Sequence, residues 1–297
     1  MKLRLLFILF FILTLAAIVT HQHRASQGNI AFRQLQFAEM MQSETVLVET
    51  SHGFGTGVVV HRDGQTFVWT AAHVANNVSD VIIHQRYRYA GKPAGEQHFS
   101  GRVICRLGDA SGETIGGSDA ALIWVDAPLD KLTGAEFSDE TPAVGEPVFH
   151  TGNFLGPNFD GSVSKGIVSQ VGVKPVVAGW PWELVDQTDA VCYPGSSGGP
   201  IFSSGGQVVG LLVGGPGVGV SCYVPVRVLY AAAQKANVTW ALYGKHCPPQ
   251  SVLEDAVKAC APAPEKPIDI LSLIIGGVPD KPPVKTPDKP KRPVKGR

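Results

Sequence analysis

The chain of 297 residues is predicted to be all-β, closed by one C-terminal helix. Three observations predict this. The sequence holds 34 glycines. From about Val46 to Val226 it repeats short β-branched or aromatic runs separated by glycine-rich turns. One stretch alone, Val226 to Leu242, has the alanines and the apolar face of a good helix. Short strands at even spacing suggest barrels or sandwiches rather than βαβ units.

The elements follow in order. Met1-Lys-Leu-Arg4 precedes an apolar run from Leu5 to Val19, broken only by Thr14 and followed by His21-Gln-His-Arg24. A basic start and an apolar middle of this kind direct a chain across a membrane. At about 1.5 Å per residue the run spans roughly 22 Å, short of the ~30 Å hydrocarbon core. No clean small-x-small site follows Val19, so residues 1–27 read either as a signal peptide or as an uncleaved anchor. Both place the remainder outside the cytoplasm, secreted, periplasmic or membrane-anchored.

Strands are expected at Gly57–Val60, Thr66–Trp69, Val81–Ile83, Ala120–Val125, Pro147–Phe149, Gly166–Ser169, Pro200–Phe202, Val208–Val213 and Ser221–Val224, within one domain over 28–243. From 244 to 297 the composition becomes proline-rich and basic, which prevents helix and sheet and leaves an extended tail. Ile268 to Ile275 is its one apolar island. The tail reads as a solvated linker in preference to a nucleic-acid or lipid-binding arm.

Lys plus Arg and Asp plus Glu number 25 each, so no global charge draws the protein domain to nucleic acid. The five cysteines, Cys105, Cys192, Cys222, Cys247 and Cys260, are an odd number. None stands at metal-ligand spacing, and no metal or cofactor is expected. In an oxidising compartment the expected pairs are Cys192 with Cys222 and Cys247 with Cys260. Asn77-Val-Ser79 and Asn237-Val-Thr239 are glycosylation sequons.

The stretch Pro194-Gly-Ser-Ser-Gly-Gly-Pro200 offers two serines in a glycine turn. It fits the Gly-x-Ser-x-Gly of a strand-to-helix nucleophile elbow, but that arrangement needs an acid and then a histidine downstream. Between Ser197 and His246, the one later histidine, there is no Asp or Glu. A triad completes upstream instead, since the geometry that activates a serine is indifferent to chain order. Thr66-Phe-Val-Trp-Thr-Ala-Ala-His73 is an apolar strand ending in small residues that leave room for the imidazole. Gly117-Ser-Asp-Ala-Ala-Leu122 puts Asp119 at the mouth of a core strand, where a histidine partner offsets its burial. His52, His61 and His84 lack that setting, as does the rival acid Asp109 in its glycine-serine loop.

Thr70-Ala-Ala-His73, Ser118-Asp-Ala-Ala-Leu122 and Gly195-Ser-Ser-Gly-Gly-Pro200 resemble the three motifs of trypsin-like serine proteases. More narrowly, Gly53-Phe-Gly-Thr-Gly-Val58, Gly152-Asn-Phe-Leu-Gly156, Gly166-Ile-Val-Ser169 and Gln187-Thr-Asp-Ala190 resemble the HtrA/Deg protease domain, over about residues 50 to 228. The resemblance implies two six-stranded antiparallel β-barrels with the site between them. It implies Ser197 as nucleophile, His73 as general base and Asp119 as the group that orients the imidazole. It implies Gly195 and Ser197 as backbone oxyanion donors. The specificity pocket it implies is lined by Val191, Cys192, Val213, Gly214, Gly215 and Ser221, with no carboxylate, which favours small or medium apolar side chains. The remainder after Tyr243 is too short for the PDZ domain that HtrA/Deg proteins usually carry.

The leading expectation is a serine endopeptidase acting on extended or unfolded protein. A viral or phage polyprotein-processing protease is the second reading, and a catalytically silent β-barrel binding module on a membrane is the third.

Overall fold

The computed structural model describes residues 33–89, 92–107, 118–174, 184–217, 219–244 and 246–262. The expected signal or anchor at 1–27, Asp109 and the tail from 263 lie outside the described residues. Among the described residues no helix is long and apolar enough to cross a membrane.

Among the described residues twelve strands close into two antiparallel barrels, as the resemblance implies. The first is ordered β1-β2-β3-β6-β5-β4, from β1 (Thr45–Thr50), β2 (Gly53–Arg62), β3 (Gln65–Thr70), β4 (Asp80–Tyr89), β5 (Lys92–Arg106) and β6 (Ala121–Val125). The second is ordered β10-β11-β12-β9-β8-β7, from β7 (Pro147–Phe154), β8 (Phe159–Val173), β9 (Val185–Thr188), β10 (Pro200–Ser203), β11 (Val208–Gly217) and β12 (Val220–Pro225). Each strand is hydrogen-bonded to two neighbours around its barrel. Each interior is filled by the inward set of a period-two alternation: Val46, Val48, Val59, Val68, Ile83, Val103 and Ile123 in the first barrel, and Val148, Val168, Ile201, Leu212 and Tyr223 in the second. A third apolar cluster, including Trp69, Leu122, Phe202, Leu211 and Leu229, joins the outside of β3 and β6 to β10, β11 and the helices.

Helices flank the barrels. α1 covers 33–43, and α2 is Val226–Lys235, whose Arg227 holds the buried Asp186 of β9 through two hydrogen bonds of 2.8 and 2.5 Å. The expected single helix to Leu242 is broken. Asn237 takes a left-handed φ of +57°, and Val238 N–H bonds back to Ala233 O at 2.9 Å, the turn that ends a helix at a left-handed residue. A short α3 (Trp240–Tyr243) follows. Trp240 packs edge-on against Phe67 at 4.9 Å, and Arg62 donates to Trp240 O and Leu242 O.

A fourth helix, α4 (Gln250–Cys260), forms where the proline count suggested only tail. Its Leu253 is buried in the shared core, and Arg106 of β5 donates to Cys260 O at 2.8 Å. The compact unit therefore runs to Pro262 rather than ending near 243. The prolines here, Pro248 and Pro249, precede the helix, where a fixed φ and a missing N–H do no harm.

All five cysteines are free thiols, so neither expected pair is a disulfide here. The Cys247–Cys260 pairing is also the wrong neighbourhood. Docking of α4 on β5 sets Cys260 beside Cys105, whose thiol is pushed up to about 12 by burial and by that neighbour. Cys192 does lie near Cys222, which burial and Cys192 together raise to about 11.

Glu44, between α1 and β1, is buried with Oε2 lacking a partner. Burial and the nearby Glu136 raise its pKa to about 7. The folded state thus binds the proton more tightly than the unfolded state. Stability from this group is fully present below about pH 4.5 and is lost as pH rises through about 7. Glu44→Gln is expected to raise stability at pH 8 by about 2 kcal/mol, allowing for residual water access, and to change it little at pH 4.5. Denaturant unfolding at the two pH values checks this.

Candidate active site

Two strands in register deliver the first pair of side chains. β3 and β6 are antiparallel with Thr70 opposite Ala121, so the chain leaving β3 and the chain entering β6 lie side by side. Ala71 and Ala72 are fully buried, and their small side chains let the next turn close, with Val74 N–H bonded to Ala71 O at 3.1 Å. His73 on that turn meets Asp119, two residues before β6. Asp119 Oδ2 lies 2.7 Å from His73 Nδ1, and Oδ1 accepts the His73 backbone N–H at 2.9 Å. The carboxylate is only 2% exposed. Holding ring and backbone together fixes the tautomer and turns Nε2 outward. Asp119 sits at φ +29°, outside the usual range for a side-chain-bearing residue, as local strain often does at working sites.

The second barrel supplies the serine turn. Gly198 N–H donates to Leu212 O at 2.7 Å, and Leu212 N–H donates to Gly199 O at 2.8 Å, which pins the turn to β11. From the first barrel, Thr56 N–H donates to Ser197 O at 2.8 Å and Thr56 Oγ1 to Gly195 O at 2.7 Å. Both barrels hold this turn.

The peptide between Pro194 and Gly195 has a defined orientation. Pro194 O accepts from Leu155 N–H at 2.7 Å. In a trans peptide the carbonyl and the next N–H point to opposite sides, so the Gly195 N–H faces away from Leu155. Gly195 adopts φ +94°, and a Cβ there would press into Asn153 O and come within 2.9 Å of Gly156 N, so glycine is required.

His73, Pro194, Gly195 and Ser197 line one cleft of about 290 Å³ together with Thr50, His52, Gly53, Phe54 and Val74. Among the described residues no hydrogen bond joins Ser197 Oγ to His73. Such pairs are commonly loose without substrate and tighten around it. The neighbouring serine has a different part. Ser196 is fully buried, and its Oγ donates to Tyr193 O at 2.6 Å and accepts from Tyr193 N–H at 3.1 Å. It braces the turn from inside.

The expected pocket residues stand on β11, on β12 and in the loop after β9. Val191 is 45% exposed, whereas Val213 is buried. Ser221 is buried and donates to Ala190 O at 2.7 Å, and Cys192 lies 3.7 Å from Ser196 Oγ in the serine turn. Gly214 pairs with Cys222 across the β11–β12 hairpin, and a Cβ on Gly215 would run into Val220 O. None of these six lines the cleft that holds His73 and Ser197.

Sequence reasoning missed three supports. Thr56 Oγ1 also accepts from Asn153 N–H at 2.9 Å, and Asn153 Nδ2 reaches Val46 O at 3.0 Å. Leu155 supplies the N–H that orients Pro194. All three lie in the motifs Gly53-Phe-Gly-Thr-Gly57 and Gly152-Asn-Phe-Leu-Gly156, so the signal was present without a role attached. His150 lies beneath the turn, close behind Ser196, and stacks on Phe154 at 5.7 Å. Burial lowers its pKa to about 4, so it stays neutral, and stability from this group is lost as pH falls from about 6.5 through about 4.

A fold of two β-barrels with this site belongs to a known class. The family model described as a trypsin-like peptidase domain matches residues 55–211, and the chain belongs to that family. It is 28% identical over 237 residues to Protease Do-like 1, chloroplastic, of Arabidopsis thaliana, covering 75% of this chain and 48% of that one. It is 32% identical over 165 residues to the magnetosome formation protease MamE of Paramagnetospirillum magneticum, covering 53% and 19%. The chain spans less than half the length of these relatives. Among solved structures, Rv3671c from M. tuberculosis, in an inactive form, matches with a TM-score of 0.52 at 21% identity, covering 67% of this chain and 89% of that one. At that identity the likeness supports the fold alone.

Proposed function

We propose that the protein is an exported serine endopeptidase that cuts extended or unfolded protein. Ser197 attacks the scissile carbonyl, His73 takes its proton and later gives it to the leaving amine, and Asp119 orients the imidazole and stabilises its cation. The N–H groups of Gly195 and Ser197 hold the developing oxyanion. The observation that carries this reading is one cleft lined by His73, Gly195 and Ser197, with a buried Asp119 carboxylate 2.7 Å behind the imidazole.

The apolar rim supports a substrate of apolar character. Phe54, Leu155, Val191 and Tyr193 are large, exposed side chains near the serine turn or on its flanking loops. Small or medium apolar residues fit a pocket of Val191, Cys192, Val213, Gly214, Gly215 and Ser221 that offers no carboxylate, and β11 from Val213 to Gly215 pairs with the substrate backbone. Relatives named as periplasmic and chloroplastic proteases support export and favour a cellular protease over the viral reading. The hydrogen-bonded histidine and aspartate argue against a silent module.

Incubation with a reduced, alkylated protein and mapping of the cut sites by mass spectrometry tests specificity. Cuts are expected after small or medium apolar residues. Cuts mainly after Lys, Arg, Asp or Glu would overturn the pocket.

A further inference from the structure

We propose that His84, Glu96 and His98 form a binding site for a divalent transition-metal ion of the zinc class on the outer face of the first barrel, with Glu49 orienting His84. The register of β4 and β5 sets His84 opposite His98 and Arg86 opposite Glu96. Ile83 and the Gln85 side chain between them are buried, so the four polar side chains share the outward face of the hairpin. Three donor atoms converge there. His84 Nδ1 lies 3.3 Å from Glu96 Oε1 and 2.8 Å from His98 Nδ1, and His98 Nδ1 lies 4.0 Å from Glu96 Oε1. All three lie within 4.8 Å of one another. An ion with bonds of about 2.0–2.2 Å in tetrahedral geometry separates its ligands by about 3.3 Å, within the range of these spacings.

The surroundings prepare the donors. His84 Nε2 lies 2.6 Å from Glu49 Oε2, on the neighbouring strand β1. A carboxylate accepts only, so Nε2 carries the proton and Nδ1 presents its lone pair to the cluster. A carboxylate behind a histidine is the usual companion of a ligating imidazole. Glu96 is turned in the same way: Arg86 Nε holds its Oε2 at 3.1 Å, leaving Oε1 for the imidazoles. The Arg86 charge is itself offset by Asp160, 2.5 Å from Nη1. Two imidazoles and one carboxylate suit zinc and its neighbours in the series rather than magnesium or calcium. The exposed His98 leaves a fourth position for water.

The cluster holds three strands. Glu49 belongs to β1, His84 to β4 and the other two donors to β5, so an ion there ties the outer hairpin to the strand that closes the barrel. The alternative is a plain hydrogen bond, with a proton on His98 Nδ1 filling the gap to His84 Nδ1. The two arrangements differ in what they bind.

The test uses the full chain carrying Ser197→Ala, to suppress self-digestion, titrated with Zn²⁺ by calorimetry and with Co²⁺ by absorption. Saturable one-to-one binding is expected, with a tetrahedral Co²⁺ spectrum lacking thiolate charge-transfer bands. His98→Ala is expected to abolish it, and Glu49→Gln to weaken it about 10-fold or more. Mg²⁺ is expected not to compete, and His73→Ala to leave binding unchanged. No saturable binding in excess Zn²⁺, binding that survives the His84→Ala, His98→Ala pair, or thiolate bands in the Co²⁺ spectrum would each overturn the proposal. Circular dichroism of the variants separates lost binding from lost fold.

Discussion

Replacing Ser197 with alanine is expected to lower kcat/KM on an unfolded protein or peptide by about 10⁴- to 10⁶-fold while leaving the fold intact. The physical reason is a separation of labour within one residue. The Ser197 carbonyl accepts the Thr56 N–H that joins the barrels, and any side chain preserves that bond. Ser197 lines the cleft, and among the described residues its hydroxyl makes no structural bond. Ser196→Ala is the informative control, because there the hydroxyl is buried and bonded at both ends to Tyr193. That variant is expected to lose about 1–2 kcal/mol of stability. Progress curves and thermal unfolding of the two variants, side by side, make the comparison. Undiminished cleavage by the Ser197→Ala protein would remove the nucleophile from the proposal and with it the mechanism.

These contrasting serines show which features a sequence exposes. The strand cores were legible because alternation and β-branching mark residues whose neighbours are set by period alone: Thr66–Trp69 lies within β3, and Val208–Val213 within β11. The three motifs were legible because each packs its chemistry into a few consecutive residues. β5 was not, since its first half, Lys-Pro-Ala-Gly-Glu-Gln-His, is exposed, lacks an apolar alternation and is held as strand by its register with β4. α4 was hidden by flanking prolines, although Leu253 anchors it in the core. Cysteine neighbours followed that docking, which brought Cys260 to Cys105 instead of Cys247.

The supports around the serine turn fail to show for a related reason. Thr56 and Gly195 are 139 positions apart, and nothing local in either segment says that one hydroxyl will hold the other's carbonyl. The His84, Glu96 and His98 cluster is similarly invisible to any search for ligand spacing. Its donors come together through a hairpin whose register is set by the barrel, and the residue that selects the His84 tautomer sits on a third strand. Function that rests on a motif is readable early; function that rests on pairing waits for the fold.

Asp119→Asn is expected to lower kcat by about 10⁴-fold with little change in KM, since the aspartate touches the imidazole and not the substrate. The native carboxylate bonds the His73 backbone N–H through one oxygen and Nδ1 through the other. An amide in its place keeps an oxygen for the backbone but presents an NH₂ donor to the ring. Nδ1 must then act as acceptor, which moves the ring proton to Nε2, and a protonated Nε2 cannot take the proton of Ser197. Shape is preserved and the tautomer is wrong. The cation that His73 becomes during attack also loses the buried negative charge behind it, so both the ground-state geometry and the charged intermediate suffer together. Single-turnover kinetics and an unfolding curve on the same preparation separate these effects from misfolding. A loss of less than about 10-fold with the fold retained would mean that the 2.7 Å contact serves structure alone, and the imidazole would need a different partner.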